Sequence, residues 1–356
     1  MTPHAPIEPM VSSAEAAAAS RILVINVTRI GDTLLATPAI RAIARFFPNA
    51  RLTVLGHPKR VEVLEHISYI ARVGGINKHT ARLRGWRDQL FTPEYDWAFV
   101  WRNDAQLVRY ALRKARHVVA QQQTDSTLNQ RLACAVPLIP DNTVPAVEWA
   151  LSVTDALGIP RAGRTLDYVV TPQEQAWARD RLRQAFATGA APIVYLQVAS
   201  FPTKRYRDWP LDHFIALARR MIEAWPEVRF VLNGAAGDRE RTDLFVGALG
   251  SRARTFAGEL SLRESAAILE ASSLYVGVDT GPSHIAGALK KPMVVMYHPS
   301  LPSALYQPLD TPTCVVVDHP AAGSPQAASI PMAEISVDRV WAAVQTAMRG
   351  ATSAAP

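Results

Sequence analysis

Short apolar runs alternate along the chain with longer stretches that have helical spacing. Residues 21–27 and 51–56 are near-continuous apolar runs, and residues 38–47 between them place apolar side chains at helical intervals. Near-continuous runs are typical of strands that are buried on both faces of a sheet. Strand, helix and strand within about 35 residues predict a βαβ unit, which is expected to be right-handed with parallel strands.

The same alternation continues through both halves of the sequence. In the first half we expect a polar loop over 121–144 and further strands and helices at 97–101, 106–114, 117–120 and 145–157. The second half begins again, with strands expected at 193–198, 228–232, 273–276, 293–297 and 313–317 and helices at 173–186, 211–223, 238–249, 261–270, 285–289 and 337–348. Two successive βα halves predict an α/β protein with two doubly wound, Rossmann-like domains that face a central cleft.

Glycine and proline at 158–163 interrupt the pattern, so the hinge is expected around 160–190. We expect a flexible leader over 1–20, an N-terminal domain over 21–175 and a second domain over 176–335. Residues 336–356 are expected to form a C-terminal helix and tail, for which packing back on the N-terminal domain is one option.

Composition narrows the class of protein. Of the 356 residues, 49% are hydrophobic and 19% are charged, which is typical of a globular chain. Cys134 and Cys314 lie far apart, so the sequence predicts neither a disulfide framework nor a zinc site. The first 20 residues lack the pattern of a signal peptide, and no apolar run reaches the length of about eighteen residues that a membrane span needs.

The net charge of +7 is uneven. Residues 1–150 contain 18 Lys/Arg and 12 Asp/Glu, giving +6, and the remaining residues contain 20 and 19, giving +1. A basic half indicates an anionic partner, whether a lipid surface, an acidic glycan or nucleic acid. The alternative is a set of ordinary solvated arginines. Nucleic acid is disfavoured, because the sequence has neither an RNP-like aromatic pattern nor a zinc knuckle.

One candidate ligand site follows the strand expected at 273–276. Asp279 and Thr280 come at the carboxyl end of this strand, where ligands of open α/β sheets bind. Gly281 lets the backbone approach a ligand closely, and free N–H groups of Ser283 and His284 at the start of the next helix would attract phosphate. The sharper hypothesis is a diphosphate-bearing ligand. The alternative is a simple capped turn.

A second candidate site is the basic loop over 197–210, which begins at another strand end. Lys204, Arg205 and Arg207 can neutralise a diphosphate, and the Ser200 hydroxyl can donate a hydrogen bond to it. The alternative is a solvated basic loop.

Acids follow two further strands. Asp32, after Gly31, could take a proton from an attacking hydroxyl, or could be an ordinary acid at a helix start. Asp238 and Glu240 follow the strand at 228–232 and could accept hydrogen bonds from ribose hydroxyls, or could cap the next helix.

Together these motifs resemble glycosyltransferase family 9, the ADP-heptose:lipopolysaccharide heptosyltransferases. The resemblance runs from about residue 21 to residue 348, and its most specific segments are 30–41, 279–286 and 291–292. Residues 207–210 look like the family's Lys-x-Trp-Pro segment, with arginine in place of lysine, and residues 256–258 with Leu262 resemble the segment before the Asp-Thr-Gly motif.

The resemblance implies a GT-B fold and an inverting transfer of heptose from ADP-heptose to a hydroxyl of the lipopolysaccharide inner core, with no metal and no cofactor. Asp32 would be the general base. Arg207, helped by Lys204, would hold the diphosphate as its charge grows. The expected donor-binding residues are Ser200, Lys204, Arg207, Asp238, Glu240, Asp279, Thr280, Gly281 and His284.

Departures from the family pattern bear mainly on the acceptor. Many members carry a Gln-Gly-type segment where this chain has Arg102, Asn103 and Asp104. We expect Arg60, Arg102 and Asp104 on the acceptor side. Residues 201–206 lengthen the diphosphate loop, which leaves the register of Lys204 open.

The implied partners are ADP-heptose, the lipid A–core oligosaccharide and an anionic membrane surface, with no nucleic acid. The protein is then expected in the cytoplasm, peripheral at the inner face of the inner membrane and released by salt. Alternatives are a transferase with another nucleotide sugar or a protein acceptor, and a non-catalytic nucleotide-sugar-binding protein. A nicotinamide dehydrogenase is disfavoured, because the sequence lacks the G-x-G-x-x-G fingerprint.

Overall fold

The computed structural model describes residues 11–77, 81, 95–186, 191–324 and 329–353, with the side chains of 351–353 excepted. The chain divides into two compact units, Met1–Val169 and Val170–Pro356. Each unit contains its own six-stranded parallel sheet covered by helices. The predicted α/β class with two doubly wound units is therefore confirmed.

The first sheet has the strand order β3-β2-β1-β4-β5-β6. Its central strand pairs in parallel with both neighbours, so that Ile22 lies opposite Leu52 on one side and Trp97 on the other. Two strands fall outside the expected set, β3 and β6, because they are too short to show a period. The strands are β1 (Arg21–Asn26), β2 (Arg51–Gly56), β3 (Arg72–Gly75), β4 (Tyr95–Val100), β5 (Ala115–Gln121) and β6 (Cys134–Val136).

Helices of the first unit begin inside the segment expected to be a flexible leader. The first helix is capped by Ser12, whose hydroxyl accepts from the Glu15 N–H, and it buries Ala16. Residues 1–10 lie outside the described residues. The helices are α1 (Ser13–Ala18), α2 (Ile30–Leu35), α3 (Thr37–Phe46), α4 (Ala105–Lys114), α5 (Ser126–Asn129) and α6 (Ala146–Asp155).

The second sheet has the strand order β12-β11-β10-β7-β8-β9. Its strands are β7 (Ile193–Gln197), β8 (Arg229–Leu232), β9 (Ala253–Thr255), β10 (Leu274–Val278), β11 (Met293–Tyr297) and β12 (Cys314–Asp318). Its helices are α7 (Pro172–Phe186), α8 (Leu211–Ala224), α9 (Arg239–Leu249), α10 (Leu262–Ala271), α11 (Gly281–Ala288), α12 (Ser303–Tyr306) and α13 (Val337–Ser353). Of these, β9 and α12 were not expected from the sequence.

The C-terminal helix α13 belongs to the core of the second unit. Val340 and Val344 are fully buried in the same cluster as Trp209 and Phe214. The rings of Trp225 and Trp341 lie 5.4 Å apart and join the end of α8 to α13. This packing follows from the apolar spacing of α13, which buries one stripe of the helix.

Strand order defines a switch point in each sheet. In each sheet the chain first builds outward on one side of the opening strand and then crosses to its other side, so that β1 lies between β2 and β4 and β7 lies between β8 and β10. Ligands of open α/β sheets bind where the loops at the carboxyl ends of such neighbouring strands diverge. The loops after β1 and β4, and those after β7 and β10, are therefore the expected ligand-binding regions.

None of the helices in the described part of the chain combines the length and the apolar character that a membrane span requires.

Candidate active site

Arg207, Asp279 and His284 form a compact group at the carboxyl edge of the second sheet. Arg207 Nη2 donates to the carbonyl of Asp279 at 3.1 Å and to Asp279 Oδ2 at 2.6 Å. His284 Nε2 lies 3.4 Å from Asp279 Oδ1. The side chains of Arg207, Asp279 and His284 are only 12, 8 and 5% exposed. The fold thus brings together three predicted donor-site residues, of which Arg207 and Asp279 are 72 positions apart along the chain.

Two nitrogens of this group lack hydrogen-bond partners. Arg207 Nε and His284 Nδ1 are buried, and neither has a hydrogen-bond partner in the part of the chain that the structure describes. A buried donor without a partner costs about 1–3 kcal/mol, so such atoms usually serve a ligand or a water molecule. The group can therefore accept further hydrogen-bonding partners.

Helix α11 begins directly after Asp279. Thr280 Oγ1 donates to the carbonyl of Val278 at 3.2 Å, and Ser283 Oγ donates to the carbonyl of Thr280 at 2.7 Å. The expectation of a free Ser283 N–H is wrong, because this group donates to the Thr280 carbonyl at 3.1 Å. The N–H of Gly281 is left outside the helix ladder and is the donor that a phosphate could use.

The basic loop folds as two short 3₁₀ turns over Pro202–Arg207. Arg205 Nη2 donates to Asp238 Oδ1 at 2.7 Å, and its Nη1 lies 3.5 Å from Asp208 Oδ2. Lys204 Nζ lies 5.6 Å from the ring centre of Tyr206 and has no acidic partner among the described residues. Of the three cations predicted here, Arg205 and Arg207 are paired with acids, which leaves Lys204 as the one with an uncompensated charge.

The Ser200 hydroxyl is used within the same loop. Ser200 N–H donates to Asp208 Oδ1 at 2.6 Å, and Ser200 Oγ donates to the carbonyl of Lys204 at 2.7 Å. The side chain is buried. In this arrangement Ser200 shapes the loop, and its hydroxyl proton is not offered to a phosphate.

The two acids predicted on the ribose side differ in accessibility. Asp238 is buried, and its Oδ2 accepts from the Ala235 N–H at 2.9 Å while Oδ1 accepts from Arg205. Glu240 is exposed in the first turn of α9. Of the two acids, Glu240 is therefore the one whose carboxylate solvent can reach.

Arg241, which lies near this site, was not predicted from the sequence. Arg241 on α9 donates through Nε to the carbonyl of Val198 at 2.9 Å and through Nη2 to the carbonyl of Trp209 at 2.7 Å. Trp209 is fully buried, and its Nε1 donates to the carbonyl of Ile335 at 2.8 Å. No local sequence signal connects Arg241 to these carbonyls, because its acceptors lie 43 and 32 positions away.

His298 was also not predicted. It follows β11 and is buried, with Nδ1 2.8 Å from Ser300 Oγ and its ring edge-on to Tyr206 at 5.1 Å. Burial, followed by the nearby charge of Arg207, lowers the pKa of His298 to about 4. The imidazole is therefore neutral at physiological pH and adds no charge beside Arg207.

In the first unit, Asp32 lies in the first turn of α2, after β1. Thr28 Oγ1 donates to Asp32 Oδ2 at 2.9 Å, and Arg102 Nη2 lies 3.6 Å from the same oxygen. The Asp32 side chain is 29% exposed. Both contacts use Oδ2, and Oδ1 has no hydrogen-bond or ion-pair partner among the described residues.

Arg102 follows β4 and is held in an unusual backbone conformation. Its φ is +79°, in the left-handed region that a residue with a side chain seldom adopts. Its N–H donates to Gln121 Oε1 at 2.7 Å, and its guanidinium lies 4.7 Å from the ring centre of Trp149. Such strain persists only where surrounding contacts impose it, and here the hydrogen bond to Gln121 and the contact with Trp149 do so.

The other two residues predicted on the acceptor side are placed differently. Arg60 Nη1 donates to the carbonyl of Thr28 at 3.4 Å, in the loop that precedes α2. Asp104 caps α4, accepting from the N–H groups of Gln106 and Leu107 at 3.1 and 3.2 Å. Arg60 thus binds Thr28, whose hydroxyl donates to Asp32, whereas the Asp104 carboxylate is engaged with its helix.

Metal binding finds no support in the described ranges. In residues 11–77, 81, 95–186, 191–324 and 329–353, no group of three or more His, Cys, Asp or Glu side chains is arranged to hold a metal ion.

Two units, each with a six-stranded parallel sheet and polar side chains at its switch point, define a GT-B-like α/β protein. Residues 88–326 match the model of glycosyltransferase family 9 (heptosyltransferase). The chain belongs to this family, as the sequence motifs predicted. The matched range contains Arg207, Asp279 and His284 but not Asp32.

Solved structures share the fold. The glycosyl transferase family 9 protein from Veillonella parvula superposes with a TM-score of 0.81 at 17% identity, over 93% of this chain and 97% of that one. E. coli ADP-heptose lipopolysaccharide heptosyltransferase II gives a TM-score of 0.75 at 20% identity, over 93% and 99%. An E. coli heptosyltransferase solved with ADP gives a TM-score of 0.70 at 18% identity, over 92% and 99%.

Curated relatives agree with the family. Lipopolysaccharide heptosyltransferase 2 of Salmonella typhimurium is 36% identical over 105 residues, which are 28% of this chain and 29% of that relative. Lipopolysaccharide heptosyltransferase 3 of E. coli K12 is 23% identical over 291 residues, which are 75% and 79% of the two chains. The stronger similarity thus spans less than a third of the relative's length.

Proposed function

We propose that this protein transfers heptose from ADP-heptose to a hydroxyl of the lipopolysaccharide inner core, by an inverting, metal-independent reaction. The observation that carries the proposal is that the family match over 88–326 includes the whole group formed by Arg207, Asp279 and His284 at the second switch point. The family's relatives are named for heptosyl transfer to lipopolysaccharide, and a solved neighbour was obtained with ADP.

On this proposal the donor diphosphate binds between the basic loop and the start of α11. Lys204 has no acidic partner among the described residues, so its charge is available to the phosphates. The Gly281 N–H adds a backbone donor. Arg207 Nε adds a side-chain donor, on a guanidinium whose position is fixed by its contact with Asp279. These groups stabilise the negative charge that grows on the diphosphate as the glycosidic bond breaks.

Asp32 is the proposed general base. Its Oδ1 accepts the proton of the acceptor hydroxyl, the hydroxyl oxygen forms a bond to the anomeric carbon, and the bond from that carbon to the diphosphate oxygen breaks. ADP leaves with the bonding electrons. A single displacement inverts the anomeric configuration. Thr28 and Arg102 contact Asp32 through Oδ2, so accepting the proton at Oδ1 displaces neither contact.

The acceptor and the membrane follow from the charge distribution. Residues 1–150 carry +6 of the net charge of +7. Arg102 lies beside the proposed base, and Arg60 binds Thr28, which donates to that base. An acceptor rich in phosphate and carboxylate, in an anionic bilayer, complements this charge. We propose peripheral binding at the inner face of the inner membrane. Unchanged vesicle binding between low and high salt would contradict this part of the proposal.

The decisive experiment measures turnover with defined substrates. The purified chain is incubated with ADP-heptose or a UDP- or GDP-sugar, and with lipid A carrying inner-core sugars or with a protein acceptor. Released nucleotide and the acceptor's mass are followed together. A gain of one heptose on the core with ADP release supports the proposal. Turnover with another nucleotide sugar would replace the donor, and ADP binding without any turnover would indicate a non-catalytic binding protein.

A further inference from the structure

The loop between β7 and α8 carries two of the proposed donor-binding residues, Lys204 and Arg207. The side chain of Arg241 forms hydrogen bonds to both ends of this loop. Arg241 Nε donates to the carbonyl of Val198 at 2.9 Å, and Arg241 Nη2 donates to the carbonyl of Trp209 at 2.7 Å. Because these carbonyls precede and follow the cationic segment, the position of Arg241 fixes the width of the loop.

The same helix is joined to the middle of the loop by a second contact. Asp238, which precedes α9, accepts a hydrogen bond from Arg205 Nη2 at 2.7 Å. Arg205 also lies 3.5 Å from Asp208, whose other oxygen accepts from the Ser200 N–H. The start of α9 and the loop therefore form one hydrogen-bonded network, although neither Arg241 nor Asp238 is adjacent to the loop in sequence.

The network also separates two parts of a nucleotide ligand. Glu240 is the exposed acid of α9 on the proposed ribose side, whereas Lys204 and Arg207 lie on the proposed diphosphate side. Arg241 lies one residue after Glu240 and directs its guanidinium to the loop backbone. We propose that Arg241 is a positioning residue that sets the diphosphate-binding loop against the nucleoside-binding helix, without touching the donor itself. This inference rests on the proposed function, because it assumes that the loop binds a nucleoside diphosphate.

Arg239 supplies a matched control on the same helix. It lies two positions before Arg241, and its guanidinium binds Glu259 at 2.7 Å and Asp243 at 3.1 Å. It makes no contact with the loop in the part of the chain that the structure describes, and its side chain is 44% exposed. Substitution of Arg239 therefore shows the effect of losing a guanidinium from α9, whereas substitution of Arg241 also removes the contacts to the loop.

The experiment compares ADP with adenosine by isothermal titration calorimetry on the full chain. In Arg241→Met the Kd for ADP should rise about tenfold or more, as expected when hydrogen bonds from a charged donor are lost. The Kd for adenosine should stay within about twofold, since it has no phosphate to reach the loop. Arg241→Lys, which can still donate to one of the two carbonyls, should lie between wild type and Arg241→Met. Arg239→Met should bind both ligands as the wild type does.

Each other outcome has a defined meaning. Equal ADP affinity in wild type and Arg241→Met, or equal weakening of ADP and adenosine, would overturn the positioning role. If Arg241→Met fails to fold, as judged by circular dichroism, the Lys variant decides the question, because an unchanged ratio of the two Kd values in it also overturns the role. If the unsubstituted chain binds no ADP, the proposed function fails, and the positioning role fails with it.

Discussion

Arg102 Nη2 lies 3.6 Å from Asp32 Oδ2, and the two residues follow adjacent strands, β4 and β1, at the switch point of the first sheet. The pair is 70 positions apart in sequence and is brought together by parallel strand pairing. Arg102 reaches Asp32 from a left-handed backbone conformation, with φ of +79°, while stacking on Trp149. The proposed base thus has a charged neighbour whose own position is fixed by other contacts.

Replacing Asp32 by Asn should remove transfer without removing donor binding. The amide cannot accept a proton, and a general base typically contributes roughly 10²–10⁴-fold to the rate. We expect kcat to fall by about this factor, while ADP still raises the melting temperature as in wild type. ADP release and thermal shift are measured side by side.

Asp104 provides the control for this variant. Asp104→Asn retains a cap for α4, so turnover and stability should both stay close to wild type. Asp104→Ala should lower the free energy of unfolding by about 1 kcal/mol and leave kcat unchanged. Full turnover in Asp32→Asn would rule out Asp32 as the base.

Arg102→Met should lower kcat about tenfold and leave ADP affinity unchanged, because a charge-assisted contact to Asp32 is lost while the second unit is untouched. Arg102→Lys keeps the positive charge but loses the planar stacking on Trp149, so an intermediate kcat is expected. Steady-state kinetics on both variants check this. Wild-type kcat in Arg102→Met would show that the contact has no part in turnover.

The Arg207–Asp279 pair should be needed for both folding and donor binding. The two side chains are 12 and 8% exposed, and removing one partner of such a buried pair typically costs about 3–5 kcal/mol, since the other charge is left without compensation. Asp279→Ala should therefore unfold at a lower urea concentration and show no thermal shift with ADP.

A double variant separates these two effects. Arg207→Met with Asp279→Leu removes both charges and should regain part of the lost stability, but it should still not bind ADP. ADP binding at wild-type affinity in the double variant would show that the pair serves the fold alone.

His298 should make stability depend on pH in a mildly acidic window. Its pKa is lowered from 6.5 to about 4, first by burial and then by the charge of Arg207. Between these values the unfolded chain binds more protons than the folded chain, so the contribution is fully present above about pH 6.5 and is lost as pH falls to about 4. Urea unfolding measured between pH 4 and pH 7 should show this decline, and in His298→Asn the decline should be shallower.

His66→Asn is the matched control for the pH experiment. His66 is exposed and has a φ of +67°, a conformation that asparagine also tolerates. This variant should keep the wild-type slope of stability against pH. The same slope in His298→Asn would assign the acid sensitivity to other groups.

The order of strands and helices was largely predictable, because long apolar runs report burial directly. The runs at β1, β2, β7 and β11 were located within one or two residues. Strand β3, which contains two glycines, and strands β6 and β9, with three residues each, were missed. Segments this short show no period of their own, and pairing with a neighbouring strand determines their structure.

The candidate site was predictable where chemistry and strand ends coincide in sequence. Asp32, Lys204, Arg207 and Asp279 all follow apolar runs, and each lies at a carboxyl edge in the structure. Arg241 gave no such signal, because its acceptors are backbone carbonyls 43 and 32 positions away. Their proximity depends on the path of a loop, which local periodicity does not encode.

By itself the sequence determined that this chain forms two α/β units with parallel sheets and that it resembles glycosyltransferase family 9. It also determined which polar residues follow the strands. Hydrophobic periodicity and short motifs are local features, so each can be recognised within a single segment of the sequence. Only the tertiary structure decided which charges are paired. It joined Arg205 to Asp238, Arg207 to Asp279 and Arg102 to Asp32, and it left Lys204 without an acid among the described residues. The physical reason is that pairing depends on strand order and side-chain packing, which bring together residues that the sequence keeps far apart.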